Sequence, residues 1–329
     1  MPFISPSSRR VFLATTAGAI ASIRVAAQGD PPTRQMRGAF IIMATPFTDS
    51  GEVDFGDLER EVQFLQRCRV QGMVWPQLAS EYEELTREER MEGMRVIAEA
   101  ARRGSAALLL GVQADTPAEA VQYARYAESL HPDGLIAMPP RRAQGLHEFM
   151  VYFRALAQVT RRPFFIQTTG GAEGIEPTLE FLLELAREFP HMAYVKEEQA
   201  PVLTRVRRLL EHRPPIRAVF TGAAGRGWLY EMRHGVDGTM PGAMFADIYA
   251  QIWEHHVSGN AAGARELFAK LLLMLNCMEQ IPATRYYLMK KRGIFKTMMS
   301  RRRSQVTLTT IEQEEIDFRF EILRPHLRD

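Results

Sequence analysis

The run Gly38-Ala39-Phe40-Ile41-Ile42-Met43-Ala44-Thr45-Pro46-Phe47 decides the fold. Its uninterrupted apolar part reads as a strand buried on both faces, the kind found in parallel sheets. It leads into Thr45-Pro46-Phe47, where an open doubly wound sheet would carry a glycine-rich phosphate turn. From here on, short apolar runs alternate with longer segments of helical period. The strand candidates are residues 39–44, 72–76, 106–111, 134–138, 163–168, 192–196, 217–221 and 238–241. Eight such units fit an α/β fold of one kind, a closed (β/α)8 or TIM barrel.

The segments between them place apolar residues at i, i+3, i+4, as in Leu58, Val62 and Leu65 or Leu179, Leu182, Leu183 and Ala186. That is the stripe of a helix resting on a core. Asp54, Thr86, Thr116 and Thr178 stand where helix N-caps are needed. The barrel accounts for residues 38–260. Residues 261–278, 282–292 and 311–323 read as three further helices, a C-terminal helical extension over 261–329, because a bare barrel needs only about 250 residues.

At the other end, Ser8-Arg9-Arg10-Val11-Phe12-Leu13 leads into a small and apolar stretch, and Val25-Ala26-Ala27 precedes the polar Gln28-Gly29-Asp30. The stretch is shorter than the roughly 20 residues that span a bilayer. Residues 1–27 resemble a twin-arginine export signal, with 28–37 as a linker. The expectation is a periplasmic or extracellular protein with no stable membrane anchor once the signal is removed.

The 329 residues are 46% hydrophobic and 24% charged, a globular balance that excludes a largely disordered chain, a collagen-like fibre and a polytopic membrane protein. Cys68 and Cys277 are too few for a disulfide framework or a Cys-rich zinc site. His255 and His256 are adjacent on a helix and face different ways, and no His pair in the barrel has ligand spacing, so no metal is expected. Loss of residues 1–27 removes three arginines and no acids, leaving 38 basic against 39 acidic residues. A near-neutral chain offers no electrostatic case for nucleic acid. The late basic cluster, from Tyr286-Tyr287 through Lys290-Lys291-Arg292 and Lys296 to Arg301-Arg302-Arg303, reads as a solvated helical face, with contact to an anionic surface or ligand as the other reading.

Lysine is scarce. Only Lys196, Lys270, Lys290, Lys291 and Lys296 occur, so amine chemistry in the first 269 residues has one carrier. Lys196 ends the sixth strand candidate, Met192-Ala193-Tyr194-Val195-Lys196, and barrel active sites are built from the C-terminal ends of strands. In a half-apolar mouth, desolvation disfavours the ammonium form and frees the amine to attack a carbonyl. A surface lysine paired with Glu197 or Glu198 is the other reading of the same residues.

The chain resembles the pyruvate-dependent class I aldolases, the family of dihydrodipicolinate synthase and N-acetylneuraminate lyase, over residues 36–300. The resemblance rests on Thr45-Pro46-Phe47 with Gly51-Glu52-Val53-Asp54, then Ser80-Glu81 with Leu85-Thr86 and Glu88-Glu89. It continues through Gly111 with Thr116-Pro117-Ala118-Glu119-Ala120, Asp133-Gly134 with Pro139, and Val195-Lys196-Glu197. Thr221-Gly222 and Gly235-Val236-Asp237-Gly238 complete it. It implies that Lys196 is the Schiff-base lysine, forming a covalent imine with substrate and requiring no other cofactor. It also implies a small carbonyl substrate and a homo-oligomer, tetramer or dimer.

The departures define the rest of the candidate site. Where the family has Gly-Thr-Thr-Gly-Glu, this chain has Gln77-Leu78-Ala79-Ser80-Glu81; where it has Tyr-Asn, this chain has Gln167-Thr168; where it has Pro-Tyr-Tyr, this chain has Pro139-Pro140-Arg141. The usual hydroxyl relay and phenol are therefore absent, and an amide such as Gln167 orients but does not titrate. Tyr194, two residues before Lys196 and on the same strand face, is the candidate phenol, or else an interior aromatic. Substrate-binding candidates are Ala79, Ser80, Arg141, Gln167, Thr168 and Thr221, with Thr169 and Arg142 as further options. Glu81 and Glu83 read as caps of the following helix, or else as holders of a polar group. The expected function is a Schiff-base lyase, aldolase or dehydratase, acting on a 2-keto acid or sugar-acid-like carbonyl and poor at making dihydrodipicolinate. The alternative is a non-catalytic periplasmic binding protein.

Overall fold

The eight apolar runs pair in chain order into a closed parallel barrel: β1 (Gly38–Ile42), β2 (Gly72–Trp75), β3 (Ala107–Gly111), β4 (Gly134–Ala137), β5 (Phe164–Gln167), β6 (Tyr194–Glu197), β7 (Ala218–Thr221) and β8 (Gly238–Thr239). Gly238 and Thr239 close it against Gly38 and Ala39. The structure, a computed structural model, describes residues 34–328. The expected export signal, 1–27, and linker residues 28–33 lie outside them. Within the described residues the linker is not loose: Arg34 pairs with Asp133 at 3.1 Å and Met36 is buried under the barrel.

The helices α1 (Phe55–Cys68), α2 (Arg87–Ala101), α3 (Pro117–Ser129), α4 (Leu146–Ala157), α5 (Leu179–Glu188), α6 (Val202–Leu210), α7 (Trp228–His234) and α8 (Ala246–Val257) alternate with the strands. Asp54, Thr86, Thr116 and Thr178 each cap a helix, accepting from the backbone N–H three residues on at 3.0–3.3 Å. Each such cap is worth about 1 kcal/mol. Thr86, and neither Glu81 nor Glu83, starts α2.

β6 departs from the reading in register. Pro190–Met192 forms a 3-10 turn in which the Met192 N–H donates to Phe189 O at 2.8 Å. Proline lacks an N–H and presets the turn's φ, so the strand starts at Tyr194 and runs one residue past Lys196, to Glu197.

Two cores flank the barrel wall. Outward-facing strand residues pack on the helices. The interior is filled by Phe40, Phe165 and Phe220, with ring pairs at 5.0 and 5.1 Å near perpendicular, the edge-to-face geometry aromatic quadrupoles favour. Gly72 and Gly238 make room for those rings: a Cβ at either would stand 2.3–2.4 Å from Phe40 or Phe220. This packing plugs the lower barrel and leaves the upper mouth open.

The extension comprises α9 (Ala261–Gln280), α10 (Thr284–Lys291), a short antiparallel pair β9 (Met299–Ser300) and β10 (Ser304–Gln305), and α11 (Thr310–Glu321). From Arg34 onward it forms one compact unit with the barrel. Arg292, at the end of α10, meets Asp247 of α8 at 2.7 Å, both almost fully buried. Among the described residues no helix is long and apolar enough to cross a membrane.

Candidate active site

Lys196 points up into the barrel mouth with its side chain 3% exposed. β5 and β6 set Gln167 beside it in register, and the Lys196 Nζ donates to Gln167 Oε1 at 3.0 Å. The other end of that amide, Nε2, donates to Thr169 Oγ1 at 3.2 Å, and the Thr169 hydroxyl donates to Glu198 Oε2 at 2.8 Å. Glu198 Oε2 lies 3.4 Å from Lys196 Nζ, closing a four-residue ring. The donors run in one sense from the ammonium through amide and hydroxyl to the carboxylate, which fixes the amide's orientation.

Glu198 is further held by the Ala223 N–H at 3.3 Å. Burial pushes its carboxyl up, but the Lys196 charge, the Thr169 hydroxyl and the Ala223 N–H outweigh this and hold it below the ordinary range. Its place depends on a missing side chain: a Cβ on Gly222 would stand 1.6 Å from Glu198 Oε1. Beside it, Ala223 and Ala224 have left-handed backbone, φ 49° and 54°, and the Tyr249 hydroxyl donates to Ala224 O at 2.5 Å to pin that turn.

The cavity above Lys196 measures about 430 Å³. One wall is the barrel's strand ends. The other comes from the extension, where Met278, Arg285, Tyr286, Met289 and Phe295 face Lys196 across the space. Tyr286 is buried, and its hydroxyl donates to Glu81 Oε1 at 2.9 Å. Glu81 also accepts from the Ser300 hydroxyl at 2.9 Å and the Arg302 N–H at 3.1 Å, so it ties the loop after β2 to the extension. The late cluster is therefore not simply a solvated face. Lys290 and Lys296 are exposed, but Arg292 is buried against Asp247, Arg301 pairs with Glu89 at 2.5 Å, and Arg303 lines the cavity mouth.

Residues 35–317 match the dihydrodipicolinate synthetase family. The chain belongs to that family. The match places it among the class I, Schiff-base type of aldolases. A 4-hydroxy-tetrahydrodipicolinate synthase of Chlorobium chlorochromatii (strain CaD3) is 27% identical over 271 residues, covering 80% of this chain and 90% of its own. Another, from Chlorobium luteolum, is 27% identical over 306 residues, covering 88% and 98%. Dihydrodipicolinate synthase of Rhodopseudomonas palustris superposes with a TM-score of 0.79 at 23% identity, covering 88% of this chain and 99% of its own.

Of the eight residues expected from the sequence of this dihydrodipicolinate synthetase family member, Lys196, Gln167 and Ala79 line the cavity and five do not. Tyr194 has the right strand face but lies one layer deeper, with its ring 5.2 Å from Phe165 in the barrel filling. Ser80 turns its hydroxyl back onto Met43 O and accepts from the Gln77 N–H at 3.0 Å. Thr168 donates to the buried Glu197 at 2.7 Å, which pairs with Arg205 of α6 at 3.0 Å. Thr221 donates to Glu231 of α7 at 2.5 Å. Arg141, 47% exposed, is held outside by Glu83 at 2.7 Å and Asp115 at 3.6 Å.

Sequence reasoning missed Arg285 and Tyr286 as site residues and gave Glu198 only as a surface partner of Lys196, whereas the pair is buried in the barrel mouth. Glu198 carried a usable signal, being two positions beyond Lys196 and so on the same side of the chain. Arg285 and Tyr286 carried none, because they reach the site from an element some 200 positions from the loop that Tyr286 binds. Among the described residues no group of three or more His, Cys, Asp or Glu side chains could hold a metal ion.

Proposed function

We propose that this family member is a Schiff-base lyase for a 2-keto acid or sugar-acid-like carbonyl compound, with Lys196 as the amine and Glu198 as the proton carrier. The observation behind this reading is the Lys196–Gln167–Thr169–Glu198 ring. A carboxylate next to the ammonium takes its proton, and the neutral Nζ adds to the C2 carbonyl. Glu198 returns that proton to the alkoxide and then relays a second from the nitrogen to the resulting hydroxyl, so water leaves and the C=N bond forms. The protonated imine then draws the electron pair of a broken bond at the neighbouring carbons into an enamine, which is protonated before the imine is hydrolysed. A positioned acid–base group is typically worth 10²–10⁴-fold.

This scheme replaces a hydroxyl relay with a carboxylate. With Leu78, Ala79 and Gln167 around the amine and Ser80 turned to the backbone, the site is poorly furnished for making dihydrodipicolinate from pyruvate and aspartate semialdehyde, and slow turnover of that pair is part of the proposal. So are export by the twin-arginine route, on the strength of Arg9-Arg10 with Phe12-Leu13, and a dimer or tetramer, in keeping with the exposed Leu272 and Leu273 of α9.

Borohydride reduction with a panel of 2-keto acids, read by peptide mass, tests the reading. Adduct is expected on Lys196 and none in Lys196→Arg, because arginine stays protonated. A wild-type chain that traps no carbonyl compound, or an arginine variant that still turns substrate over, would overturn it.

A further inference from the structure

We propose that Arg285 is the anchor for the substrate's carboxylate and that the wall beside it selects a 2-keto acid with an aryl or branched-alkyl substituent; this deepens, and rests on, the lyase reading. Arg285 stands in the first turn of α10 and faces the cavity. Its guanidinium is fixed on two sides: Nη2 donates to the Tyr286 hydroxyl, and Cζ lies 4.5 Å from the centre of the Tyr286 ring. Its Nε is buried and has no hydrogen-bond partner.

An arginine is charged at any ordinary pH, and among the described residues no carboxylate pairs with the half-buried Arg285, so a ligand's carboxylate would supply the counter-charge that its guanidinium lacks. The acids sharing this cavity are already engaged. Glu198 faces Lys196, Glu279 pairs with Arg226, and Glu81 accepts from Tyr286, Ser300 and Arg302. What the site lacks is an anion, and a carboxylate matches the planar, two-pronged edge of a guanidinium.

The surroundings specify the rest of the molecule. Met240, Met244, Met278, Met289, Leu275 and Phe295 contribute to the lining. Unbranched, polarizable methionine side chains mould to irregular apolar groups and make favourable contacts with aromatic rings. A substrate with a second charged or heavily hydroxylated end would leave polar groups against these side chains without partners. The fitting ligand has one carboxylate, one carbonyl for Lys196 and an apolar remainder.

Calorimetry with ligands unable to form an imine separates this proposal from the lyase reading. The purified chain is titrated with 3-phenylpropanoate, 3-phenylpropanamide and propanoate. The ring-bearing acid is expected to bind roughly 10- to 100-fold tighter than its amide, the range of a charge-assisted bond, and at least about tenfold tighter than propanoate, since burying a ring's apolar area is worth more than that. Arg285→Gln should bind acid and amide alike, Arg285→Lys should keep part of the preference, and Arg208→Gln, altered on the exposed face of α6 outside the cavity, should keep nearly all of it. Equal affinity for acid and amide in the wild type, a preference surviving in Arg285→Gln, propanoate binding as tightly as the aryl acid, or no binding at all would each overturn the proposal. If Arg285→Gln does not fold, Arg285→Lys and the wild-type comparison still decide. Failure of borohydride trapping leaves these titrations readable, and their failure leaves trapping untouched.

Discussion

The two walls of the cavity are held by different means. On the barrel side, Lys196 and Gln167 sit on strands hydrogen-bonded to both neighbours, and their polar ends close into a ring with Thr169 and Glu198. On the other side, Arg285, Tyr286 and Met289 ride on a helix of eight residues, secured by a few long-range ties: Arg292 to Asp247, Tyr286 to Glu81, Arg301 to Glu89. The first wall is stiff because its backbone partners are shared across the sheet, and stiffness is what chemistry at a fixed atom requires. The second is adjustable without disturbing a strand, which suits it to deciding which molecule enters.

Changing the chemical wall alone should produce the largest effect. Glu198→Gln keeps the shape of the ring but cannot carry a proton, and turnover should fall by about 10²–10⁴-fold while the affinity for 3-phenylpropanoate stays within about twofold. A variant with turnover within tenfold of wild type would show that the proton moves by another route. Gly222→Ala offers the same assay without touching a polar group, since its methyl would displace the Glu198 side chain.

Loosening the second wall should act on stability and binding before chemistry. Asp247→Asn removes the carboxylate facing the buried Arg292, where Met244 O and the Phe64 ring also meet the guanidinium. The expected loss is roughly 3 kcal/mol in denaturant unfolding, the low end for half of a buried ion pair. Binding of 3-phenylpropanoate should weaken more than the rate of trapping at saturating 2-keto acid. Trapping that collapses while binding holds would reverse the roles given to the two walls.

The smallest effect belongs behind the barrel wall. Glu61 of α1 is fully buried, accepts from the Ala44 N–H at 3.0 Å and has no partner for Oε2. Burial pushes its carboxyl well above 4.5. Its proton is bound more tightly in the folded state, so the associated stability is full below about pH 4, the unfolded value, and drains away as pH rises through the folded one. Glu61→Gln has no such slope, and its stability relative to wild type should rise between pH 5 and pH 8 in denaturant unfolding. A constant difference would mean that Glu61 is charged where it lies.

The barrel was legible because its determinants are local. Apolar runs, cap residues and turn chemistry all act within a few positions, and so does the scarcity that singled out Lys196. Ser80, Thr168 and Thr221 were placed near the right strand ends, but hydroxyls on that rim have two directions to point, and buried carbonyls or carboxylates under the helices claimed all three. Arg141 occupied a plausible loop, yet Glu83 and Asp115 held it outside. The contact between Tyr286 and Glu81 spans 205 positions, and nothing periodic announces a partnership at that range.

The solitary position of Lys196 also bears on how this protein can change over generations. It is the only lysine lining the cavity among the described residues, and the barrel sequence holds no other from which a neighbouring codon could inherit its role. A chain that loses it has no second amine in the barrel to take its place. Under the proposed lyase reading, positions 285 and 289 face no such bottleneck: substitutions there would alter which molecule fits while leaving Lys196 in place.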